Sequence, residues 1–427
     1  MRRWLILIIG IAVLVVLLSP GAVGRIAEAT LSDNLGWIDS ENDDVDIEVL
    51  AYERGWFSST GQHRVVLADS PLAAALTAST GGPLAFVVDT QLDHGLIALA
   101  PLGSGSLTPR LASAKSTVTL DQGTRGMSDI PGILYSQLGV FGDSTFRYAV
   151  QPGEQSTLGA NLSWSEADLL VNASARKRTL GIASRLSNVA VDAGGIRGSV
   201  GSALVEATHD RSELAFGVGE LEIRVDDLVV DAGAEAGGRL SDFRLTFASR
   251  VESDGLAGDA SVDLQGGQIP TLGDLEATTK LRFQGLDANA VEGIVRSLRA
   301  ASDAPLVESM MTDHLMALAA GGGELDITDL VVSVAEGSLR ATVSGDWPSV
   351  ESRQNINWAS FALKSRAEAD VVIDSALYDA LVTRMPEAGT LLALGLLLKK
   401  GDQYTMTAEL SGGLLKVNGA PMPLGLP

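Results

Sequence analysis

Apolar and polar residues alternate singly along most of this chain. Leu221, Ile223 and Val225 are set against Glu222, Arg224 and Asp226, and Phe243, Leu245 and Phe247 against Arg244 and Thr246. The same period recurs at Val118 and Leu120, at Phe146, Tyr148 and Val150, and at Val262 and Leu264. It returns at Leu339, Ala341 and Val343, at Ala367, Ala369, Val371 and Ile373, and at Met406, Ala408 and Leu410. A strand points successive side chains to opposite faces, so each stretch predicts a half-buried strand.

Clusters of Gly, Asp and Asn punctuate the strands at residues 192–195, 230–238, 253–258 and 265–268. They read as turns between antiparallel neighbours. Many such strands in succession predict a long meander with one apolar face. That face must be hidden by folding into a groove, by closure, by helices or by dimerisation. Helical spacing appears in residues 129–138, then in 287–320 with a break around Ser302 to Pro305, and in 374–398 with a break at Pro386. Residues 404–410 and 414–419, joined through Ser411-Gly412-Gly413, predict a closing hairpin. The expected fold class is mainly β with α (α+β). It comprises an N-terminal transmembrane helix, then an elongated, curved antiparallel sheet or groove with a few packed helices.

The exception to alternation is the start. Arg2 and Arg3 precede an unbroken apolar run from Trp4 to Leu18, and the stretch stays uncharged to Gly24. Roughly 20 such residues cross a bilayer core. All 53 acidic residues follow it, with every basic residue except Arg2 and Arg3. That asymmetry predicts a cytoplasmic N-terminus and an extracytoplasmic body. An uncleaved signal anchor over residues 1–24 with a body over 25–427 is the favoured reading. A cleaved signal peptide ending at Ala22-Val23-Gly24 is the competing one. Residues 390–398 (TLLALGLLL) are the next most apolar stretch, and Lys399 and Lys400 end it too early to span.

Charge and chemistry narrow the function classes. The net charge is −22, from 31 basic and 53 acidic residues. No basic footprint is present for nucleic acid, so no nucleic-acid partner is expected. Cysteine is absent, which removes disulfides, thiol nucleophiles and cysteine zinc sites. His63, His94, His209 and His314 are the four histidines, and no two share metal-ligand spacing. There is no G-x-S-x-G elbow, and Gly103 and Gly105 are followed by Thr108 where a dinucleotide fingerprint needs glycine. We therefore expect no enzyme, no catalytic residue, no metal and no cofactor.

Three short segments matter together: YERGWFSST at residues 52–60, Asp93-His94-Gly95, and LKVNGAPMPL at residues 415–424. Their order after a single anchor resembles the YdgA-like family of bacterial envelope proteins of unknown function. That family has a Tyr-x-Arg-Gly-x-Phe-Ser-Ser segment, then His-Gly-Pro, then a Val/Leu-Asn-Gly-x-Pro ending. Leu96 stands where the family often has proline. The resemblance implies a single-pass inner-membrane protein with a periplasmic, β-rich body and no established activity. It singles out Tyr52, Arg54, Gly55, Trp56, Phe57, His94 and Gly95 as candidate binding positions. On the residues alone, Gly55 is expected to bend the chain before a strand, and Trp56 and Phe57 to face opposite sides. The layout is more loosely similar to AsmA-like envelope proteins, whose β-groove is associated with lipid traffic; that is a fold-level analogy.

Two functions are expected from these observations. One is binding, or helping transfer, a lipid or another apolar envelope component in a groove on the apolar face. The alternative is a structural or partner-binding envelope protein, a homo-oligomer among the options, with no small-molecule ligand.

Overall fold

The computed structural model describes residues 45–56, 58–67, 85–94, 110–121, 127–139, 143–157, 160–174, 179–193, 195–210, 218–231, 237–253, 255–269, 273–299, 304–350, 358–385 and 388–423. The anchor expected over residues 1–24 lies outside them. No helix among the described residues is long and apolar enough to cross a membrane. The chain divides into two compact units, residues 1–194 and 195–427. Both are open antiparallel meanders, so the mainly β class and its antiparallel sheets are as the alternation predicted.

The first unit runs β1 (Val45–Arg54), β2 (Ser58–Leu67), β3 (Ala85–His94), β4 (Arg110–Asp121) and β5 (Met127–Gly139), each paired with its successor. Next come β6 (Asp143–Val150), β7 (Gly153–Thr157), β8 (Ala160–Trp164), β9 (Glu166–Ser174) and β10 (Thr179–Ala193). β6 pairs with β9 and β7 with β8, while β10 spans both β9 and β8. β6–β7 and β8–β9 are thus two long strands, each interrupted once. Pro152 marks the first interruption, where a residue without an N–H cannot serve a ladder.

β5 corrects the helix expected over residues 129–138. Val118 pairs with Ile130 but Ser116 with Leu134, so β5 carries two extra residues between those rungs. Pro131 and Gly132 fill the bulge, with Gly132 at φ 131°, a region that only glycine enters freely. The insertion spaces Ile130, Ile133 and Leu134 like a helix face while the backbone remains extended.

The second unit runs β11 (Ile196–Asp210), β12 (Val218–Asp231), β13 (Gly237–Glu252), β14 (Gly255–Ile269), β15 (Gly273–Leu286), β16 (Gly323–Val334), β17 (Gly337–Trp347), β18 (Arg366–Asp374) and β20 (Gln403–Ser411). Neighbours in that order pair antiparallel. On the far side of β20, β19 (Leu398–Lys400) pairs near one end and β21 (Leu414–Val417) near the other, and β22 (Ala420–Met422) closes on β21.

One rung of directly opposed residues crosses this sheet: Ala203, Val225, Phe243, Leu264, Ala277, Val332, Leu339, Ile373 and Tyr404. Cross-strand pairs of this kind are the unit of sheet stabilisation. The opposite face carries charge. Glu222 accepts from Arg224 at 2.6 Å and Arg244 at 2.9 Å, which relieves the two arginines opposed in register and holds the carboxyl below its ordinary range. Arg282 and Asp259 pair at 3.1 Å, and Lys280 and Asp329 at 2.9 Å. Exposed pairs like these contribute little stability and fix register more than they hold the sheet.

The alternation changes phase across β12 and β13. Val225 pairs with Phe243 and Leu228 with Leu240, so the apolar positions step by three on both strands. Asp227 and Asp242 absorb the step at φ 55° and 49°, a left-handed conformation that Asp tolerates better than most residues. The step continues into β14 between Leu264 and Gly267 and ends there as a one-residue bulge against Ala277 and Leu275. Residues 265–268, expected as a turn, therefore sit inside β14. Their glycines let a strand with an extra residue stay against β15.

Among the described residues, helices enter only the second unit. α1 (Ala288–Arg299) and α2 (Ala304–Gly321) connect β15 to β16, α3 (Trp358–Lys364) precedes β18, and α4 (Ser375–Arg384) with α5 (Gly389–Ala393) connects β18 to β19. Asp287 starts α1 by accepting from the N–H groups of Asn289 and Ala290 at 2.9 and 3.0 Å. The helix pair closes a core of Val218, Leu256, Phe283 and Leu286, with Val291 and Leu318 packed against it. Phe283 lies opposite Gly258 and stacks on Phe247 at 6.2 Å. α4 closes a second core of Ile373, Leu377, Tyr378, Leu397 and Tyr404.

Candidate functional site

Two of the three sequence segments singled out above meet in the first unit. Arg54 pairs with Ser59, and the Gly55 N–H donates to the Ser58 carbonyl at 2.7 Å, so residues 55–58 are the turn of the β1–β2 hairpin. Ser58 pairs in turn with Asp93, and His94 with Ala112. The YERGWFSST and Asp93-His94 segments, about forty positions apart in sequence, are thus neighbours at one end of β1–β4, brought together by strand register.

Each candidate position has a definite place. Tyr52 lies in β1 opposite Gly61, and its ring covers that glycine: a Cβ at Gly61 would lie 3.3 Å from the Tyr52 ring and 3.0 Å from His63 Cε1. The Tyr52 hydroxyl is buried without a hydrogen-bond partner among the described residues. Arg54 and Gly55 are exposed, and Trp56 is 54% exposed. Trp56 lies in the turn and not in a strand, so the alternating placement expected for Trp56 and Phe57 does not apply to it. Phe57 and Gly95 fall outside the described residues. His94 is the last residue of β3, and only its backbone is described.

A residue the motif did not single out is set deeper. His63 is 7% exposed, on the same strand face as Ser59 and Gly61. Burial lowers its imidazole below the ordinary value, because a low-dielectric surrounding penalises the charged form. The unfolded chain then binds the proton more readily than the folded one below about pH 6.5, the ordinary histidine value. The first unit is expected to keep its full stability above that pH and to lose part of it as pH falls towards the folded-state value. His63→Gln should flatten this dependence, measured as urea midpoints at pH 7.5 and 5.5. An unchanged pH slope in the variant would refute the assignment. The signal for His63 in the sequence was only its place in the β2 alternation.

Two recesses open on the first unit. One, of about 600 Å³, lies on the hairpin strands and is polar, lined by Glu53, Thr60, Gln62, Asp89, Gln91 and Lys115 among others. Gln62 donates to Asp89 within it at 2.8 Å. The other, of about 470 Å³, forms where the β5 bulge faces β6 and β7. The Tyr148 hydroxyl donates to the Pro131 carbonyl at 2.9 Å, Gln155 to the Asp129 carbonyl at 2.8 Å, and the Trp164 indole to the Gln151 carbonyl at 2.6 Å. The first two bonds serve carbonyls at and beside the β5 bulge, and the third a carbonyl at the β6–β7 interruption. Burial raises the Tyr148 phenol above its ordinary value, so it remains a donor. Among the described residues no group of three or more His, Asp or Glu is placed to hold a metal ion.

The C-terminal segment has a mechanical role. Asn418, at φ 52°, follows β21 and sits in the gap between β21 and β19 along β20. Its side chain accepts from the Thr407 N–H at 3.0 Å and donates to the Gly395 and Leu396 carbonyls at 3.1 and 3.0 Å. Its own N–H donates to the Thr407 carbonyl at 2.7 Å. One asparagine thus ties three chain segments together, which explains its presence in a Val-Asn-Gly ending.

A half-buried apolar field lies outside both cores. Beside the nine-residue rung lies a second, Val205, Ile223, Leu245 and Val262. These four, with Val225 and Phe243, are half-buried and belong to neither core. The sheet is covered by helices where the two cores lie and carries this apolar field elsewhere.

Open antiparallel meanders, glycines roofed by opposed aromatic rings and, among the described residues, helices confined to the second unit define a mainly β protein built around its sheet faces. The chain belongs to DUF945, a family of bacterial proteins of unknown function whose model matches residues 1–425. No curated protein and no solved structure matches it.

Proposed function

We propose that this chain is a membrane-anchored protein of the bacterial envelope that holds a lipid acyl chain, or a comparable apolar component, on the sheet of its second unit. The observation that carries the reading is the field of Val205, Ile223, Val225, Phe243, Leu245 and Val262, contiguous in register and closed by neither helix-capped core. Burying such a surface is worth about 25 cal/mol per Å², so an occupant with no polar groups gains most from it. The Arg2-Arg3 start followed by the apolar run supports anchoring with the body outside the cytoplasm. The likeness to YdgA-like and AsmA-like envelope proteins supports the same setting.

Mass spectrometry of lipids retained by the full chain after gentle detergent extraction tests the proposal. Lipid is expected in near-stoichiometric amount. Leu245→Gln, which sets an amide in the field at a cost of about 1–3 kcal/mol, should lower it roughly tenfold while circular dichroism stays unchanged. Retention no higher than in an unrelated anchored protein, or equal in Leu245→Gln, would refute it.

A further inference from the structure

The α4–β19 connection presents a second apolar surface. Met385, Leu391, Leu392, Leu394 and Leu398 are all exposed, Leu394 at 66% and Met385 at 58%. α5 buries none of its residues. The connection is nonetheless held in one shape. Leu397 is locked in the α4 core, the Tyr378 hydroxyl donates to the Ala388 carbonyl at 3.0 Å, and Asn418 holds the Gly395 and Leu396 carbonyls. An ordered loop that keeps its leucines outward forgoes burial that a small shift would offer, so the exposure points to an outside contact.

Lys399 and Lys400 follow directly and are exposed. Lys399 places its ammonium 5.5 Å from the Tyr404 ring. With Asp402 counted, residues 388–402 are net positive in a chain of net charge −22. Hot spots of protein interfaces favour Trp, Tyr and Arg and under-use Leu, and residues 388–402 contain none of those three favoured types. Leucines flanked by lysines instead match a surface that dips its apolar side chains below a headgroup layer while ammonium groups meet lipid phosphates.

We propose that the α5–β19 connection is a membrane-contact element: Leu391, Leu392 and Leu394 insert at the interface of a bilayer and Lys399 and Lys400 engage its anionic headgroups. This contact is independent of lipid held on the sheet, and its test does not depend on lipid retention.

The chain has no cysteine, so Leu394→Cys accepts a single environment-sensitive dye in an otherwise unaltered full chain. The labelled protein is reconstituted with phosphatidylcholine vesicles, with and without phosphatidylglycerol, containing an acyl-chain spin label as quencher. Glu206→Cys, exposed on β11, carries the reference dye. Quenching is normalised to the protein that floats with the vesicles. The expected result is quenching at position 394 several-fold above the reference and stronger with phosphatidylglycerol. Lys399→Glu with Lys400→Glu should cut it by about fivefold or more, since each lysine near an anionic surface contributes about that factor. Quenching equal to the reference would overturn the proposal. So would a blue-shifted dye that the lipid label does not quench, the signature of a protein partner or a second copy on this surface.

Discussion

Phe283→Ala is expected to destabilise the second unit by about 3–5 kcal/mol, the range for emptying a large aromatic from a core. Phe283 is 7% exposed and packs between the sheet and the α1–α2 pair with Val218, Leu256 and Leu286. Its ring covers Gly258 on the opposed strand, where a Cβ would strike it. Truncation therefore leaves a void over a glycine, with no side chain at the directly opposed position of β14, and removes the stacking on Phe247. Hydrogen exchange at the amides of β14, β15 and α1 is the measurement, and protection there should fall by several orders of magnitude. Phe283→Leu should recover most of it, because volume-conserving apolar changes usually cost less than about 1.5 kcal/mol. Equal loss in both variants would mean that the ring does not support the helix pair through packing.

The second large effect is expected at Asn418. Asn418→Ala strands the Thr407 N–H and releases the Gly395 and Leu396 carbonyls. Each lost bond costs about 1 kcal/mol, and alanine at φ 52° adds about 1–2 kcal/mol of left-handed strain, giving roughly 3–5 kcal/mol. Asn418→Gly removes the same bonds without the strain, so the difference between the two variants isolates the backbone contribution. The release should be local first. Protease cleavage within residues 389–398 is expected to rise sharply in both variants, while cleavage elsewhere in the unit rises less. If the connection stays protected in Asn418→Gly, the side chain is not its clasp.

Two places where sequence reading and structure part share one cause. Residues 129–138 resembled a helix and residues 265–268 a turn, yet both are strand with extra residues inserted. A bulge shifts the side-chain phase without ending the strand, and local pattern cannot distinguish that from helical spacing or from a chain reversal. The phase step at Asp227 and Asp242 was written in the residues, since Val225 to Leu228 and Leu240 to Phe243 are each three apart. Its meaning appears only when the two strands stand side by side and both steps fall on the same rungs.

The candidate site divides in the same way. That Tyr52, Arg54 and His94 belong to two segments of note was legible from sequence, through the resemblance those segments carry. That Ser58 and Asp93 are paired, that the Tyr52 ring roofs Gly61 beside a buried His63, and that Asn418 reaches back to residues 395 and 396 were not. Those facts are contacts between positions distant in the chain.

By itself the sequence determined the mainly antiparallel β architecture, the two helical insertions and the acidic, cysteine-free chemistry, because strand period, helix period and charge are local properties. Tertiary structure alone decided which apolar faces are closed and which remain open. Closure depends on where the α1–α2 pair and α4 land on a sheet whose paired residues lie up to 59 positions apart (Leu275 and Val334), and no local pattern encodes that meeting.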